Sequence, residues 1–182
     1  MISDDANELQ KLFYQTHNYL DSKKKDKILV LGIGNYLMGD EGIGIHVIHA
    51  LSKAKLPGYV DILDGGTSSF DLMPILAQYP LAIFVDATMD FKSPGTIGVI
   101  YPKFAKDFPA VLSAHDVGLK DMIEALEFKN ELPGVILVTI SIENMQPMSI
   151  SLTTPIKEIV PRVVNTILDI LHKIEKVKEK LA

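Results

Sequence analysis

Five side chains able to bind a cation or move a proton stand just beyond apolar runs of the chain. Asp40 and Glu41 follow Ile28-Leu29-Val30-Leu31 and a glycine-rich stretch; Asp64 follows Val60 to Leu63; Asp86 follows Leu81 to Val85; His115, beside Asp116, lies beyond Thr96 to Tyr101. Carboxylates crowded together repel one another, and burial raises their pKa further. A divalent cation relieves both costs. Glu41, Asp86 and His115 would supply two oxygens and one nitrogen as metal ligands. Such a set leaves coordination positions open for water or substrate, as hydrolytic sites require. The chain has no cysteine, which excludes disulfides, thiolate metal sites, iron–sulfur clusters and a cysteine nucleophile. A site of this kind suits nickel, zinc or manganese better than copper(I). Each residue also has a plain structural reading. Glu41 in the first turn of a helix complements the macrodipole, Asp86 at a strand end fits a turn or cap, and His115 fits a helix cap or an exposed position. Their joint placement favours chemistry.

The elements that would position these residues follow from periodicity. Ile28 to Leu31 is a continuous apolar run, the pattern of a strand buried on both faces. A helix is expected from about Glu41 to Lys53, and a second strand over Val60 to Leu63. A short helix follows over about Ser69 to Ala77, with Ser68 or Ser69 as cap. The third strand is Leu81 to Val85 and the fourth Thr96 to Tyr101, after the turn signal Pro94-Gly95. The short link between these two predicts antiparallel neighbours, because parallel crossovers take a dozen or more residues. A helix with Leu119, Met122, Ile123 and Leu126 inward precedes a fifth strand, Val135 to Ile142. The last helix opens at Thr154-Pro155, an N-cap with proline in the first turn. It carries Ile156, Ile159, Val163, Ile167, Ile170, Ile174, Val177 and Leu181 on one stripe, with a kink expected at Pro161. Strands alternating with helices make an α/β domain with a mostly parallel, doubly wound sheet. Ligands sit beyond the carboxyl ends of such strands, where all five residues fall.

Residues 1–22 read as a helix with Leu9, Leu12, Phe13, Thr16 and Leu20 on one face. The cluster Lys23, Lys24, Lys25 and Lys27 reads as a solvated linker. The expected division is therefore an extension and linker over 1–25 and one α/β domain over 26–182. The extension would pack on the domain, with pairing to a second copy (self-association) or contact with a partner as alternatives. His46 and His49 read as structural or surface residues without a partner at ligand spacing, and His17 and His172 as solvated. Apolar residues make up 47% and charged residues 23% of the 182 residues, a globular composition. A net charge of -5 disfavours nucleic acid, whose phosphates need a basic face. No apolar stretch reaches the roughly 20 residues of a membrane span. Met1 to Asp5 lacks the apolar core of a signal peptide, so a cytoplasmic location is expected.

Other chemistries fit less well. Gly32-Ile33-Gly34 after a strand suggests dinucleotide binding, but the third glycine of that fingerprint falls on Leu37. Asp40 and Glu41 would also oppose a pyrophosphate at the helix N-terminus, although Asp64 mimics the ribose-binding acid. There is no G-x-S-x-G elbow and no H-E-x-x-H. Asp64-Gly65-Gly66-Thr67 resembles an aspartic-protease loop, but Asp86-Ala87-Thr88 is a poor second loop for a dyad. A metal-recognising binding module or chaperone is the alternative from another class.

Taken in order, Gly32-x-Gly34-Asn35, Gly39-Asp40-Glu41-Gly42-x-Gly44, Asp64-Gly65-Gly66-Thr67, Val85-Asp86-Ala87 and His115 ahead of Gly118-Leu119 resemble the hydrogenase maturation protease family. Gln146-Pro147 followed by Leu152-Thr153 is similar to that family's late motif. The resemblance spans roughly Lys27 to Leu171. It implies a three-layer fold with a central twisted five-stranded sheet and helices on both faces. It further implies an endopeptidase that removes a C-terminal extension from the large-subunit precursor of a [NiFe] hydrogenase after nickel insertion. Glu41, Asp86 and His115 would then be the metal-contacting residues, and Asp64 an acid associated with substrate or nickel recognition. The nickel would arrive on the substrate, with another divalent cation as the alternative occupant in the isolated protein.

Overall fold

The computed structural model describes residues 7–9, 11, 24, 26–68, 70–102, 107 and 116–181. Strand β1 (Ile28–Ile33) is buried throughout. Its alternation sends Ile28 and Val30 into one core and Leu29, Leu31 and Ile33 into another. A run with apolar residues in both registers must be covered on both sides. The chain turns back through a 3-10 turn (Gly39–Gly42) into helix α1 (Ile43–Leu51). Strand β2 (Val60–Gly66), a 3-10 turn (Phe70–Leu72) with the short helix α2 (Met73–Leu76), and strand β3 (Leu81–Thr88) follow. Then come β4 (Ile97–Ile100), α3 (Asp116–Phe128), β5 (Gly134–Ser141) and α4 (Thr154–Leu181).

The five strands form one sheet in the order β2-β1-β3-β5-β4. β1 runs parallel to β2 and β3, β3 parallel to β5, and β4 antiparallel to β5. The first core lies under α1 and α4, which bring Ile43, Val47, Leu51, Ile156, Val163, Ile167 and Ile174 against the sheet. The second lies under α2 and α3, with Leu76, Leu119, Met122, Ile123 and Leu126 around Phe84. The fold is therefore three layers, as expected. Leu9, from the helical piece 7–9 of the extension, is fully buried in the first core.

Four expectations need correction. β4 is antiparallel, but its neighbour is β5 and not β3. β5 is buried along its whole length and takes the inner position, whereas β4 is half-buried and sits at the edge, where a short, partly wetted strand is tolerated. β2 and β3 run further than expected, so Asp64 pairs with Gly32, and Asp86 with Thr139, inside the ladder. The cap of α4 is Thr153, whose carbonyl accepts the Lys157 N–H at 2.8 Å. The lysine cluster is not a purely solvated linker. Lys24 donates to Asp61 at 2.9 Å and to the Tyr79 hydroxyl, and Lys27 donates to Asp61 at 2.6 Å. Lys23, Lys25 and His17 lie outside the described residues, and none of the described helices is long and apolar enough to cross a membrane.

Candidate active site

The chain leaves β1 through Gly34, whose φ of 129° suits glycine alone. A Cβ there would also stand 2.1 Å from the Glu41 carbonyl oxygen, so the 35–41 loop folds tightly onto the strand end. Asn35 fixes the loop at two points. Its Oδ1 accepts the Leu37 N–H at 3.0 Å, an Asx-type turn, and its own N–H donates to Glu41 Oε2 at 2.7 Å. Glu41 is fully buried in the 3-10 turn, which packs against β3.

Asp86 is also fully buried, and its Oδ1 accepts the Ala87 N–H at 2.7 Å. Ala82 and Phe84 point into the second core, so Asp86, in the same register, leaves the sheet on the α2/α3 face. Helix α3 packs on that face and begins at Asp116. His115, immediately before it, lies outside the described residues. Two of the three expected ligands therefore sit at the carboxyl ends of adjacent strands. Among the described residues, no group of three or more His, Asp or Glu side chains is gathered at metal-binding distance.

Asp40 shares the turn of Glu41, but its side chain bonds elsewhere. It is 3% exposed and turns towards the 146–153 segment. Its Oδ1 accepts the Thr153 N–H at 2.7 Å, and its Oδ2 accepts the Thr153 hydroxyl at 2.7 Å and Gln146 Nε2 at 3.2 Å. The Asp40 N–H donates back to Gln146 Oε1 at 2.8 Å. Between these anchor points, Gly39 donates its N–H to the Ser149 carbonyl at 2.7 Å, and Ser149 donates to the Leu37 carbonyl at 3.1 Å. No local spacing signals this pairing, because its partners lie more than a hundred residues away.

Asp64 stands elsewhere again. Val60 and Ile62 pack on the first core, so Asp64 shares the α1 face, opposite to that of Asp86. Its side chain is 46% exposed and lies 3.7 Å from His49 Nε2, while its Oδ1 accepts the Gly66 N–H at 3.0 Å. His49 is thus an exposed residue, as expected, with Asp64 as its neighbour. The Tyr36 ring packs against both imidazoles, at 4.8 Å from His46 and 5.6 Å from His49 between centroids. Burial holds the His46 pKa below its usual value, against an opposing hydrogen bond to the Ile150 backbone. His172 is exposed, as expected.

A family model described as hydrogenase maturation protease matches residues 45–170, more than half of the chain. The hydrogenase 2 maturation protease of Escherichia coli (strain K12) is 35% identical over 154 residues, covering 81% of this chain and 92% of the relative. The chain belongs to the hydrogenase maturation protease family. It is a hydrolase of the peptidase class. The hydrogenase expression/formation protein HupD of Rhizobium leguminosarum bv. viciae is 31% identical over 154 residues, covering 80% of this chain and 74% of the relative. In three dimensions the protease is similar to the hydrogenase maturating endopeptidase HybD from E. coli. That likeness has a TM-score of 0.74 and 34% identity, over 81% of this chain and 93% of the other. The matched segment contains Asp64, Asp86, His115, Gln146 and Thr153.

Proposed function

We propose that this maturation protease removes a C-terminal extension from the large-subunit precursor of a [NiFe] hydrogenase, in the cytoplasm, after nickel has been inserted. The observation that carries the reading is the pair of fully buried carboxylates, Glu41 and Asp86, at the carboxyl ends of neighbouring parallel strands. A folded chain keeps such groups away from water only at a cost, and the carboxyl ends are where sheets of this kind bind ligands. Carboxylate oxygens with an imidazole nitrogen are suitable donors for a divalent cation. His115, one residue before α3 on the face that carries Asp86, supplies the nitrogen in this reading.

The cation is the substrate's own nickel. Held by the precursor, it docks against Glu41, Asp86 and His115. Docking places the scissile carbonyl next to the metal, which polarises it or activates a water. Asp64, half-exposed on the opposite face, does not join the buried pair. Its role is to meet the incoming substrate and orient the nickel-bearing segment. Cleavage of a nickel-loaded precursor by the variants Glu41→Gln, Asp86→Asn and His115→Ala tests the assignment. Each variant should fold cooperatively and lose cleavage by about a hundredfold or more, the scale expected when a positioning group at the reacting centre is lost. A triple variant that cleaves as well as the parent would overturn it.

A further inference from the structure

We infer that Asp40, Gln146 and Thr153 form a positioning device for Glu41, so that the 146–153 segment controls cleavage without touching the substrate. This rests on the reading of Glu41 as a cation-docking group. Asp40 and Glu41 are consecutive in one four-residue 3-10 turn, Gly39–Gly42. The Glu41 carboxylate accepts the Asn35 N–H at 2.7 Å, and the turn supplies its backbone position. Asp40 ties that turn through four hydrogen bonds to two residues. Three of them end on the Asp40 carboxylate and are charge-assisted, which makes them stronger than neutral bonds, and the fourth, from the Asp40 N–H to Gln146 Oε1, closes a ring with Gln146.

The geometry gives the device two rigid anchors. Thr153 is the N-cap of α4, the longest helix, which is packed along the first core. Gln146 follows β5, the inner strand beside β3 that carries Thr139 opposite Asp86. The turn that bears Glu41 is therefore fixed to the same framework that fixes Asp86, by way of Asp40. A carboxylate held this way reaches its docking position without searching for it, and the gain falls on the reacting complex. Gly39 completes the fit. It adopts a φ of 60°, and a Cβ there would lie 2.1 Å from Gln146 Oε1.

The test uses Thr153→Val and Thr153→Ser in the full chain, with Glu41→Gln as reference and purified nickel-loaded large-subunit precursor as substrate. Thr153→Val keeps the backbone N–H bond to Asp40 Oδ1 and the side-chain volume, and deletes only the hydroxyl bond. Thr153→Ser restores that bond. With all proteins verified as folded by circular dichroism at the assay temperature, Thr153→Val should lower kcat about tenfold, leaving KM within about twofold, because misplacement of a reacting group acts on the chemical step. Thr153→Ser should return kcat to near the parent value. If Thr153→Val lowers the melting temperature but leaves kcat unchanged, the tie is structural only and the inference is overturned. If Glu41→Gln cleaves normally, the reading of Glu41 itself fails, whatever the Thr153 variants do.

Discussion

Replacing Gly39 by alanine should cost this protein about 2–5 kcal/mol, and the structure supplies each contribution. A non-glycine residue held in the left-handed region costs about 1–2 kcal/mol, and Gly39 has a φ of 60°. The added Cβ would also fall 2.1 Å from Gln146 Oε1 and 2.8 Å from its Cβ. The glutamine must then move, giving up its bonds to the Asp40 N–H and Oδ2. Leaving such buried polar groups unsatisfied costs about 1–3 kcal/mol. For a domain of this size each kcal/mol lowers Tm by about 2–4 °C, so the shift is on the order of 10 °C. The assay is reversible urea or thermal unfolding followed by circular dichroism, with Gly58→Ala as the internal standard. Gly58 has no heavy atom within 4 Å of a built Cβ, so its substitution should stay within about 0.5 kcal/mol of the parent. In a Gln146→Ala background the Gly39→Ala cost should shrink by roughly 1 kcal/mol, as expected for residues in direct contact. Equal stabilities for Gly39→Ala and Gly58→Ala would refute the close approach of Gly39 to Gln146 on which the Asp40 geometry depends.

Other outcomes follow from the same framework. Asp61 accepts hydrogen bonds from Lys27, Tyr79 and Lys24, and these, Lys27 foremost, hold its carboxyl well below the usual carboxylate range against the opposing effect of burial. Its unfolded value is about 3.9. Its stabilisation is therefore complete above about pH 5 and lost as pH falls below 4 towards the folded value. Asp61→Asn should be roughly 1 kcal/mol less stable than the parent at pH 7, the upper end for a partly exposed ion pair. The difference should narrow on acidification, and a pH-independent difference in urea midpoints would contradict it. Phe84, fully buried at the centre of the second core, should lose about 3–5 kcal/mol on truncation to alanine; a loss under about 1 kcal/mol would show that α2 and α3 are not packed over it.

Much of this fold is legible in the residue pattern, and what is not legible has a common cause. The five strands, their apolar registers and the inward faces of α3 and α4 follow from local periodicity, which is set by neighbours within a few residues. The position of β5 between β3 and β4 does not. The short β3–β4 link suggests a hairpin, yet the eight buried residues of β5 need a covered position beside β3. Asp64 and Asp86 read as strand ends because polar residues interrupt apolar runs, but the hydrogen-bond ladder continues through them. The candidate site shows the same limit. Glu41 and Asp86 are found from their place after strands. The turn of Asp40 towards Thr153, the grip of Lys24 and Lys27 on Asp61, and the approach of His49 to Asp64 are pairings between distant parts of the chain. Side-chain pairing at that separation leaves no periodic trace, although Gln146 and Thr153 already stood out in the motif similar to the family's late segment.

The central claim is that the buried carboxylates receive a cation brought by the substrate. The most direct measurement is cleavage of one purified large-subunit precursor, prepared with and without nickel, by the same protease under single-turnover conditions. The nickel-loaded precursor should be shortened at its C-terminus, while the nickel-free form stays intact. Equal cleavage of both forms would contradict the account.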